Sequence, residues 1–339
     1  MEAALIEVEN LRKHFGTSGG LFTGLRRNPA PQVRAGNGIS FSLRRGESVG
    51  LLGESGCGKT TTGRLLLKLT EPTDGRIRYE GRPFEEIRGR DLQTFRRRAQ
   101  LIFQNPFDAL NPRFTIWRSL TEPLINARVS RAEHRDYVNR ALDLARFSQG
   151  RRVLQRFPHQ LSGGQLQRVV IARALILRPE FIVADEPVSM LDVSVRAGIL
   201  NLLREVSREL SLTAVYISHD LSLVRYLCPR TIVMYLGCIV EDGPTEEIIR
   251  SPRHPYTRAL VSAVPTPDPD QPRGQLPIGN RPPDARVAPT GCVFSDRCPA
   301  VMAHCRTQAP PSRMVGASHQ VACHLYDEGA GVTRMETQA

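Results

Sequence analysis

The chain has 339 residues, of which 40% are hydrophobic and 24% are charged, and this balance is typical of soluble globular proteins. Its length allows one large domain with a substantial appendix, or two modest domains. The longest apolar stretches, such as residues 169–177, contain charge and are far shorter than the ~20 residues of a membrane-spanning helix. No basic segment followed by an apolar core opens the sequence, so no secretory signal is predicted and we expect a cytosolic protein.

The chain is basic, since 46 Lys and Arg residues against 34 Asp and Glu residues give a net charge of +12. Such a surface can attract nucleic acid, an anionic membrane face or nucleotide phosphates. A basic background without a specific partner explains the charge equally well. Charge alone therefore does not choose among these functions.

Segments with strand spacing and segments with helical spacing alternate along the first part of the chain. Leu5–Arg12 alternates as an edge strand would, and residues 16–38, rich in Gly, Pro and Asn, predict an exposed loop. Further strands are predicted at 39–43, 48–52, 181–184 and 213–217, and helices at 59–69, 130–147, 165–177 and 194–210. Ser130 and Glu133 form the pattern of a capping box. The alternation favours an α/β core around a mostly parallel sheet.

The composition changes after about Pro252. Residues 265–289 are rich in proline and show no clear periodicity, which predicts an extended linker. A tail that carries four cysteines follows. No internal repeat is visible, so the sequence predicts one catalytic module and not a tandem pair.

The segment after the predicted strand 48–52 matches the phosphate-loop pattern in full. Its residues are Gly53, Glu54, Ser55, Gly56, Cys57, Gly58, Lys59 and Thr60, followed by Thr61. The glycines let successive backbone N–H groups converge on phosphates at the positive end of the next helix. Lys59 would reach the β- and γ-phosphates of ATP, and the Thr60 hydroxyl would bind Mg²⁺. A chance glycine-rich turn is a poor explanation, because a strand and a helix flank the motif.

Two carboxylates follow the apolar run 181–184, at the carboxyl end of a predicted strand. Ligands bind at this end of the strands in an open α/β sheet. Asp185 would hold Mg²⁺, and Glu186 would polarise the attacking water, because neighbouring residues of a strand point in opposite directions. Together with the phosphate loop, the pair predicts ATP hydrolysis.

A third motif identifies the kind of ATPase. Leu161-Ser162-Gly163-Gly164-Gln165 precedes Asp185 and resembles the signature of the ABC ATPase family. Other positions resemble that family too: Gln104 its metal-sensing glutamine, Ser189–Asp192 the loop after the second carboxylate, His219 its switch histidine, and Phe15 the aromatic that stacks on adenine. A lone Gln or His is more often an ordinary surface residue, and Phe15 could instead be a core residue at the edge of its strand.

The resemblance implies a fold, a division of the chain and a mechanism. The fold is an ABC-type P-loop ATPase core, with a mostly parallel sheet, an antiparallel portion and a helical subdomain at about 105–160. The ATPase domain would span residues 1–255, and a C-terminal extension residues 256–339. Each ATP would lie between the phosphate loop of one module and the signature 161–165 of another. His219 would contact the γ-phosphate, and Asp192 would couple the two sites.

Two further regions resemble the oligopeptide/dipeptide importer subfamily. They are residues 104–113, which contain Leu-Asn-Pro, and tail segments at 254–260, 263–265, 291–294 and 297–299. The insert at 17–36 resembles the F-type member of the usual pair of ATPases. Met190 is a variation, since small residues are commoner there.

This resemblance implies an ATPase subunit on the cytoplasmic face of the plasma membrane that powers import of di- or oligopeptides. Its partners would be two membrane permeases, a second ABC ATPase (a paralogue before an identical copy) and an extracytoplasmic peptide-binding protein. Nickel complexes or glutathione are alternative cargoes.

Two other classes are weaker explanations. A soluble ABC ATPase that acts on nucleic acid generally has two modules or a long coiled-coil insertion, and this chain shows neither, so we expect no nucleic-acid partner. A catalytically inactive module would not need Lys59, Asp185, Glu186 and His219.

The tail cysteines Cys292, Cys298, Cys305 and Cys323 have five, six and seventeen residues between them. In a reducing compartment such a cluster favours metal over disulfides. Four thiolates suit a [4Fe–4S] cluster, which the resemblance also implies for some members. Zinc, with His304, His319 or His324 as substitute ligands, and four free thiols are the alternatives. Because the tail lies far along the chain from the phosphate loop, we expect a structural or regulatory role.

Overall fold

The computed structural model describes residues 4–16, 32–147, 150–264, 286 and 290–327. Nearly all of the predicted linker 265–289 and most of the insert 17–36 lie outside these residues. Among the residues described, no helix has both the length and the apolar character needed to cross a membrane.

A large mixed sheet forms the centre of the molecule. Its strands are β3 (Ser48–Leu52), β6 (Ala99–Ile102), β7 (Phe181–Asp185), β8 (Thr213–Ser218), β9 (Arg230–Tyr235), β10 (Cys238–Pro244), β11 (Ser312–Met314) and β12 (Gln320–Ala322). Their order is β11-β12-β10-β9-β3-β8-β7-β6, with β6, β7, β8, β3 and β9 parallel and the other pairings antiparallel. Strands β7 and β8 are buried along their whole length, as continuous apolar runs predict for a sheet covered on both faces. The predicted mostly parallel sheet with an antiparallel portion is confirmed.

A second, antiparallel sheet has the order β2-β1-β4-β5. Its strands are β1 (Ala4–Gly16), β2 (Gln32–Arg44), β4 (Asp74–Tyr79) and β5 (Arg82–Pro83). Two expectations were wrong here. β1 pairs with β2 on one side and β4 on the other, so it is not an edge strand. Residues 32–38, expected in a loop, belong to β2. Alternation reports which face of a strand is buried, and it carries no information on how many edges are paired.

The helices are α1 (Lys59–Leu66), α2 (Gly89–Arg98), α3 (Ile116–Asn126), α4 (His134–Leu144), α5 (Gly163–Leu175), α6 (Val193–Glu209), α7 (Leu221–Leu227), α8 (Thr245–Arg250) and α9 (Pro255–Ser262). The predicted capping box at Ser130 and Glu133 is wrong. The Glu133 backbone N–H donates to the Ser130 carbonyl oxygen (3.0 Å), so residues 130–133 form a turn and the helix begins at His134.

Two apolar cores cover the two faces of the large sheet. Ala214 and Tyr216 of β8 belong to the core shared with helices α3–α7, while Val215 and Ile217 belong to the core shared with the antiparallel sheet. Helix α1 contributes Leu65 and Leu66 to the second core. The helix that follows the phosphate loop is therefore held between the two sheets.

The C-terminal extension is continuous with the large sheet, because β12 pairs antiparallel with β10. Behind this pairing lies the fully buried carboxylate of Glu241. It accepts hydrogen bonds from the backbone N–H groups of Arg253 (2.8 Å) and His254 (2.9 Å) and from Nε2 of His319 (2.7 Å). One carboxylate therefore ties the end of α8, the start of α9 and the tail to the sheet.

We expect Glu241→Gln to destabilise the fold by about 3 kcal/mol, because it leaves a buried histidine without its anionic partner. The hydrogen bond to Glu241 raises the pKa of His319 above 6.5. Burial opposes ionisation of Glu241, but hydrogen bonds led by that from His319 lower its pKa below 4.5. The contribution of protonated His319 to the free energy of unfolding is lost as pH rises through its raised pKa. The contribution of ionised Glu241 is lost as pH falls through its lowered pKa.

The stability difference between wild type and Glu241→Gln should therefore be largest between about pH 4.5 and 6.5, measured by urea unfolding across pH. Glu246→Gln is the matched control, since the Glu246–Arg225 pair (2.8 Å) is exposed and should contribute little. A difference that does not change with pH would contradict the assignment.

Candidate active site

The phosphate-loop motif lies between β3 and α1, where the sequence places it. The Lys59 ammonium donates to the carbonyl oxygens of Gly53 (2.7 Å) and Glu54 (2.8 Å), and the Cys57 N–H donates to the Glu54 carbonyl oxygen (3.3 Å). The loop backbone is thus curled around a cation. Such a curl at a helix N-terminus turns N–H groups toward an anion.

Two glycines of this loop allow very close backbone approaches. Gly53 has φ +156° and Gly58 has φ +103°, both in the range that favours glycine. A Cβ on Gly53 would lie 2.3 Å from the Met234 carbonyl oxygen, and one on Gly58 would lie 1.9 Å from the Ala35 carbonyl oxygen. The loop therefore packs directly against the backbone of β9 and β2.

A cavity of about 290 Å³ opens in front of the loop. It is lined by Phe15, Val33, Ala35, Ser55, Gly56, Gly58, Lys59, Thr60, Thr61, Gln104 and Glu186. A neighbouring cavity of about 150 Å³ shares Thr60 and Gln104 and adds Asp185. The structure thus brings together most of the predicted site residues from four separate parts of the chain.

Phe15 lies at the rim of this cavity and not in the core. Its side chain is 43% exposed, and the Lys13 ammonium lies 5.0 Å from the centre of its ring. An exposed aromatic face beside a phosphate loop offers a stacking surface for a base. The alternative of a core residue is wrong.

Glu186 is the centre of a hydrogen-bonded chain that sequence reasoning missed. Gln104 Nε2 donates to Glu186 Oε2 (2.8 Å), and His219 Nδ1 lies 2.8 Å from Glu186 Oε1, which makes Nδ1 the donor. Glu186 also has φ +43°, which is uncommon outside glycine. The sequence assigns these three residues separate roles, because no pattern along the chain reports contacts between loops.

Asp185 immediately precedes Glu186, and its side chain is buried. Burial raises the pKa of Asp185, and the adjacent Glu186 carboxylate raises it further, while a hydrogen bond with Thr60 and the charge of Lys59 act in the opposite direction. A buried carboxylate beside a hydroxyl is a suitable partner for a divalent cation, which would replace the lost solvation.

The signature segment begins helix α5. Ser162 caps the helix, because its Oγ accepts the Gln165 N–H (3.4 Å) and its own N–H donates to Gln165 Oε1 (3.1 Å). A Cβ on Gly164 would lie 2.5 Å from Val195 Cγ1, so this glycine allows α5 and α6 to meet. Helix α5 therefore starts two residues before the predicted Gln165.

The structure does not bring the signature to the phosphate loop of the same chain. Among the described residues that line the two cavities, none belongs to 161–165, and neither Asp192 nor His219 is present. Asp192 instead caps helix α6, accepting the Val195 N–H (3.0 Å) and the Ser194 hydroxyl (2.9 Å).

The tail is closer to the phosphate loop than its position in the sequence suggests. Arg297 donates to both carboxylate oxygens of Glu54 (3.1 and 2.9 Å), and the Tyr256 hydroxyl accepts the Glu54 N–H (2.8 Å). Although the tail lies far from the phosphate loop along the chain, the two are in contact in the fold. Glu54 and Arg297 are 243 positions apart, and no sequence pattern predicts a contact over that separation.

The four tail cysteines gather at one place. Burial, with smaller contributions from neighbouring thiols that include Cys298 and Cys305, raises the pKa of Cys292 to about 11 and that of Cys323 to about 12. Backbone N–H groups point at their sulfurs: those of Phe294 and Ser295 at Cys292, Ala300 at Cys298, Met302 at Cys305 and Leu325 at Cys323.

Two of the histidines considered as substitute ligands have other partners. His319 is bonded to Glu241, and His324 contacts Asp327 Oδ2 (2.7 Å) and the Gln308 carbonyl oxygen (2.9 Å). Their ring nitrogens are engaged away from the sulfurs. Besides the thiols, the described part of the tail offers a second set of donors, because ligand atoms of His304, His324 and Asp327 lie within 4.8 Å of one another.

Comparison with known proteins places these features in a family. Residues 36–189 match the family described as "ABC transporter", and residues 240–305 match "Oligopeptide/dipeptide transporter, C-terminal region".

Similar proteins cover almost the whole chain. A probable peptide ABC transporter ATP-binding protein of Sinorhizobium fredii is 42% identical over 327 residues, which are 96% of this chain and 91% of that protein. A putative peptide import ATP-binding protein of Brucella ovis is 45% identical over 324 residues, 95% of this chain and 98% of that protein. Among solved structures, an ATP-binding cassette in a dimeric post-hydrolysis state bound to ADP and Pi matches with a TM-score of 0.60 and 28% identity, over 71% of this chain and 98% of that one.

We expect Gly58→Ala to weaken ATP binding by at least ~10-fold, because its Cβ would displace the loop from the Ala35 carbonyl. Gly81→Ala is the matched control: it has φ +75° but open space around the new Cβ, so it should cost only ~1 kcal/mol of stability and leave binding unchanged. Titration of each purified variant with MgATP measures the effect. Equal affinities in the two variants would contradict the steric argument.

Proposed function

Because this chain belongs to the family of ATP-hydrolysing ABC transporter subunits that carry an oligopeptide/dipeptide C-terminal region, we propose that its ATP hydrolysis powers the import of di- or oligopeptides. The observation that carries the proposal is that Gln104 and Glu186 line one cavity with the phosphate loop, and that Glu186 is hydrogen-bonded to both Gln104 and His219. The names of the relatives favour peptides over nickel complexes or glutathione as cargo.

The chemistry we propose centres on Glu186. Its carboxylate would orient the attacking water and accept its proton, while Gln104 and His219 fix its two oxygens. The His219 ring is 58% exposed, which suits contact with a γ-phosphate that arrives from outside. Lys59 and the N–H groups of the loop would hold the phosphates, and Phe15 would stack on adenine.

Mg²⁺ fits the donors present beside the loop. Thr60 offers a hydroxyl and Asp185 a carboxylate, and both line the smaller cavity. Because Nε2 of Gln104 is bonded to Glu186, its amide oxygen is the atom that can bind a cation. These are the oxygen ligands that Mg²⁺ takes, and the bound ion would neutralise part of the phosphate charge.

A second ATPase subunit completes the site in this proposal. The signature 161–165 and Asp192 line neither cavity of their own chain, and in this proposal they contact a nucleotide held by the other subunit. The segment around Asp192 is exposed, because Met190 is 63% exposed and Val193 is 81% exposed. The dimeric form of a similar cassette supports this arrangement. As the partner we propose a paralogue before an identical copy.

We propose that the permeases dock on a groove beside Gln104, which places the chain on the cytoplasmic face of the membrane. The groove, of about 390 Å³, lies between helices α2, α3 and α5, with Phe103 and Pro123 among its apolar residues and Arg96 among its basic ones. Phe107 and Ile125 nearby are more than half exposed. Two permeases and an extracytoplasmic peptide-binding protein complete the transporter.

The tail fits a [4Fe–4S] cluster, which we propose as a structural cofactor held by Cys292, Cys298, Cys305 and Cys323. The donor set is four thiols whose sulfurs receive backbone N–H groups, the hydrogen bonding that tunes such clusters. In a tetrahedral zinc site, Zn–S bonds of about 2.3 Å would hold all four sulfurs within ~4 Å of one another. Among the described residues, the four sulfurs do not form a group that tight, and metal analysis of the purified protein decides between iron, zinc and free thiols.

We expect Glu186→Gln to bind ATP with wild-type affinity and to reduce turnover by at least ~100-fold, because the base that accepts the proton is lost. It should also accumulate a nucleotide-bound dimer. Steady-state ATPase assays and size-exclusion chromatography test both effects, with exposed Glu209→Gln as the control. Near wild-type turnover would remove Glu186 from its role.

Anaerobically purified protein should be brown and contain about four irons per chain, as four-thiolate ligation of a cubane requires. Replacing any of the four cysteines by Ser should abolish the iron, whereas Cys238→Ser, which removes a thiol near Cys292, should not. One zinc per chain without iron would support the alternative metal. Metal-free protein would leave only thiols.

A further inference from the structure

The side chain of Glu54 is held by a residue of the C-terminal extension. Both of its carboxylate oxygens accept hydrogen bonds from Nη1 of Arg297, which is only 11% exposed. The same guanidinium donates to the Tyr235 hydroxyl (3.3 Å) and lies 5.8 Å from the centre of that ring. Burial opposes the charge of Arg297, but the hydrogen bonds to Glu54 and Tyr235 raise its pKa, so it stays cationic.

The backbone of Glu54 is held by the same region. Its N–H donates to the hydroxyl of Tyr256, which is fully buried. The Tyr256 ring packs against Tyr235 (4.7 Å between ring centres) and Phe294 (5.5 Å). These three rings join helix α9, strand β9 and the tail. The Tyr256 hydroxyl attaches the first turn of the phosphate loop to this aromatic cluster.

A carboxylate inside a phosphate loop is electrostatically costly for a loop that binds a polyanion. Because like charges repel at short range, an uncompensated carboxylate in the loop should weaken phosphate binding by about 10-fold. Arg297 pairs with Glu54 (2.9 Å), and its positive charge opposes that of the carboxylate. The contact therefore has a consequence for nucleotide affinity as well as for the attachment of the tail.

We propose that Arg297 is a positioning residue for ATP: it neutralises the Glu54 carboxylate and, with the Tyr256 hydroxyl, fixes this turn of backbone for the incoming phosphates. The proposal rests on ATP binding by the phosphate loop. Through it, the C-terminal extension sets the nucleotide affinity of the ATPase core. A contact that served only to attach the tail would influence stability and leave affinity unchanged.

The test measures the dissociation constant of the full-length chain for MgATP by calorimetry, with the melting temperature recorded without nucleotide. Arg297→Gln should weaken binding by ~10-fold, because the Glu54 charge is then exposed to the phosphates. Adding Glu54→Gln to that variant should restore affinity to within ~3-fold of wild type, since the repulsive charge is gone. Arg297→Lys, which keeps the charge, should stay within ~3-fold too.

Arg313→Gln is the matched control, because Arg313 pairs with Asp327 (2.8 Å) in the same extension and has no contact with the loop. Its affinity should equal that of wild type. Wild-type affinity in Arg297→Gln, with or without a lower melting temperature, would overturn the proposal, and so would a double variant as weak as the single one.

Should Arg297→Gln fail to fold, Tyr256→Phe takes its place, since it removes one hydroxyl and should weaken binding by ~3-fold. Unchanged affinity in that variant would overturn the proposal. Lys59→Ala separates this failure from failure of the site itself: if it binds MgATP as wild type does, the phosphate-loop assignment is wrong, whatever Arg297 does.

Discussion

The phosphate loop is wedged between backbone segments that leave no room for side chains. Carbonyl oxygens of Met234 and Ala35 lie where Cβ atoms of Gly53 and Gly58 would be. Further along, the Gly237 N–H donates to the Cys57 carbonyl oxygen (2.9 Å), and the Asn37 N–H donates to the Gly237 carbonyl oxygen (2.8 Å). The antiparallel sheet, the β9–β10 turn and the loop thus meet backbone to backbone. Loop geometry is fixed by tertiary contacts, so phosphate binding requires both sheets to be in place.

The parallel direction of the central strands explains why residues that are distant in sequence converge on the Glu186 carboxylate. Strands β3, β6, β7 and β8 are parallel, so their carboxyl ends lie along one edge of the sheet. The loop, Gln104, Glu186 and His219 each follow one of these strands. Residues far apart in sequence therefore share one hydrogen-bonded chain centred on Glu186.

Much of this could be predicted from the sequence, because local signals and the fold agree. An apolar run, a glycine loop and a helix are encoded within residues 48–69, and a strand that ends in two carboxylates is encoded within 181–186. The failures have physical causes. The pattern of β1 shows its buried face and not its second paired edge. Ser130 and Glu133 fit a capping pattern, yet the chain forms a turn there. The Glu186 contacts and the Arg297–Glu54 pair are tertiary, and no local pattern encodes them.

The division of the chain into residues 1–255 and 256–339 stays a prediction, and the contacts argue that the two parts are physically interdependent. Ending the chain at residue 255 would remove Tyr256 and Arg297, leaving the Glu54 N–H and carboxylate without these partners. It would also remove the His319 partner of buried Glu241 and expose the β10 edge that β12 covers. An unpartnered buried carboxylate and an open strand edge both destabilise the core. The extension therefore acts as part of the ATPase fold, and Cys298 directly follows the arginine that pairs with Glu54 of the phosphate loop.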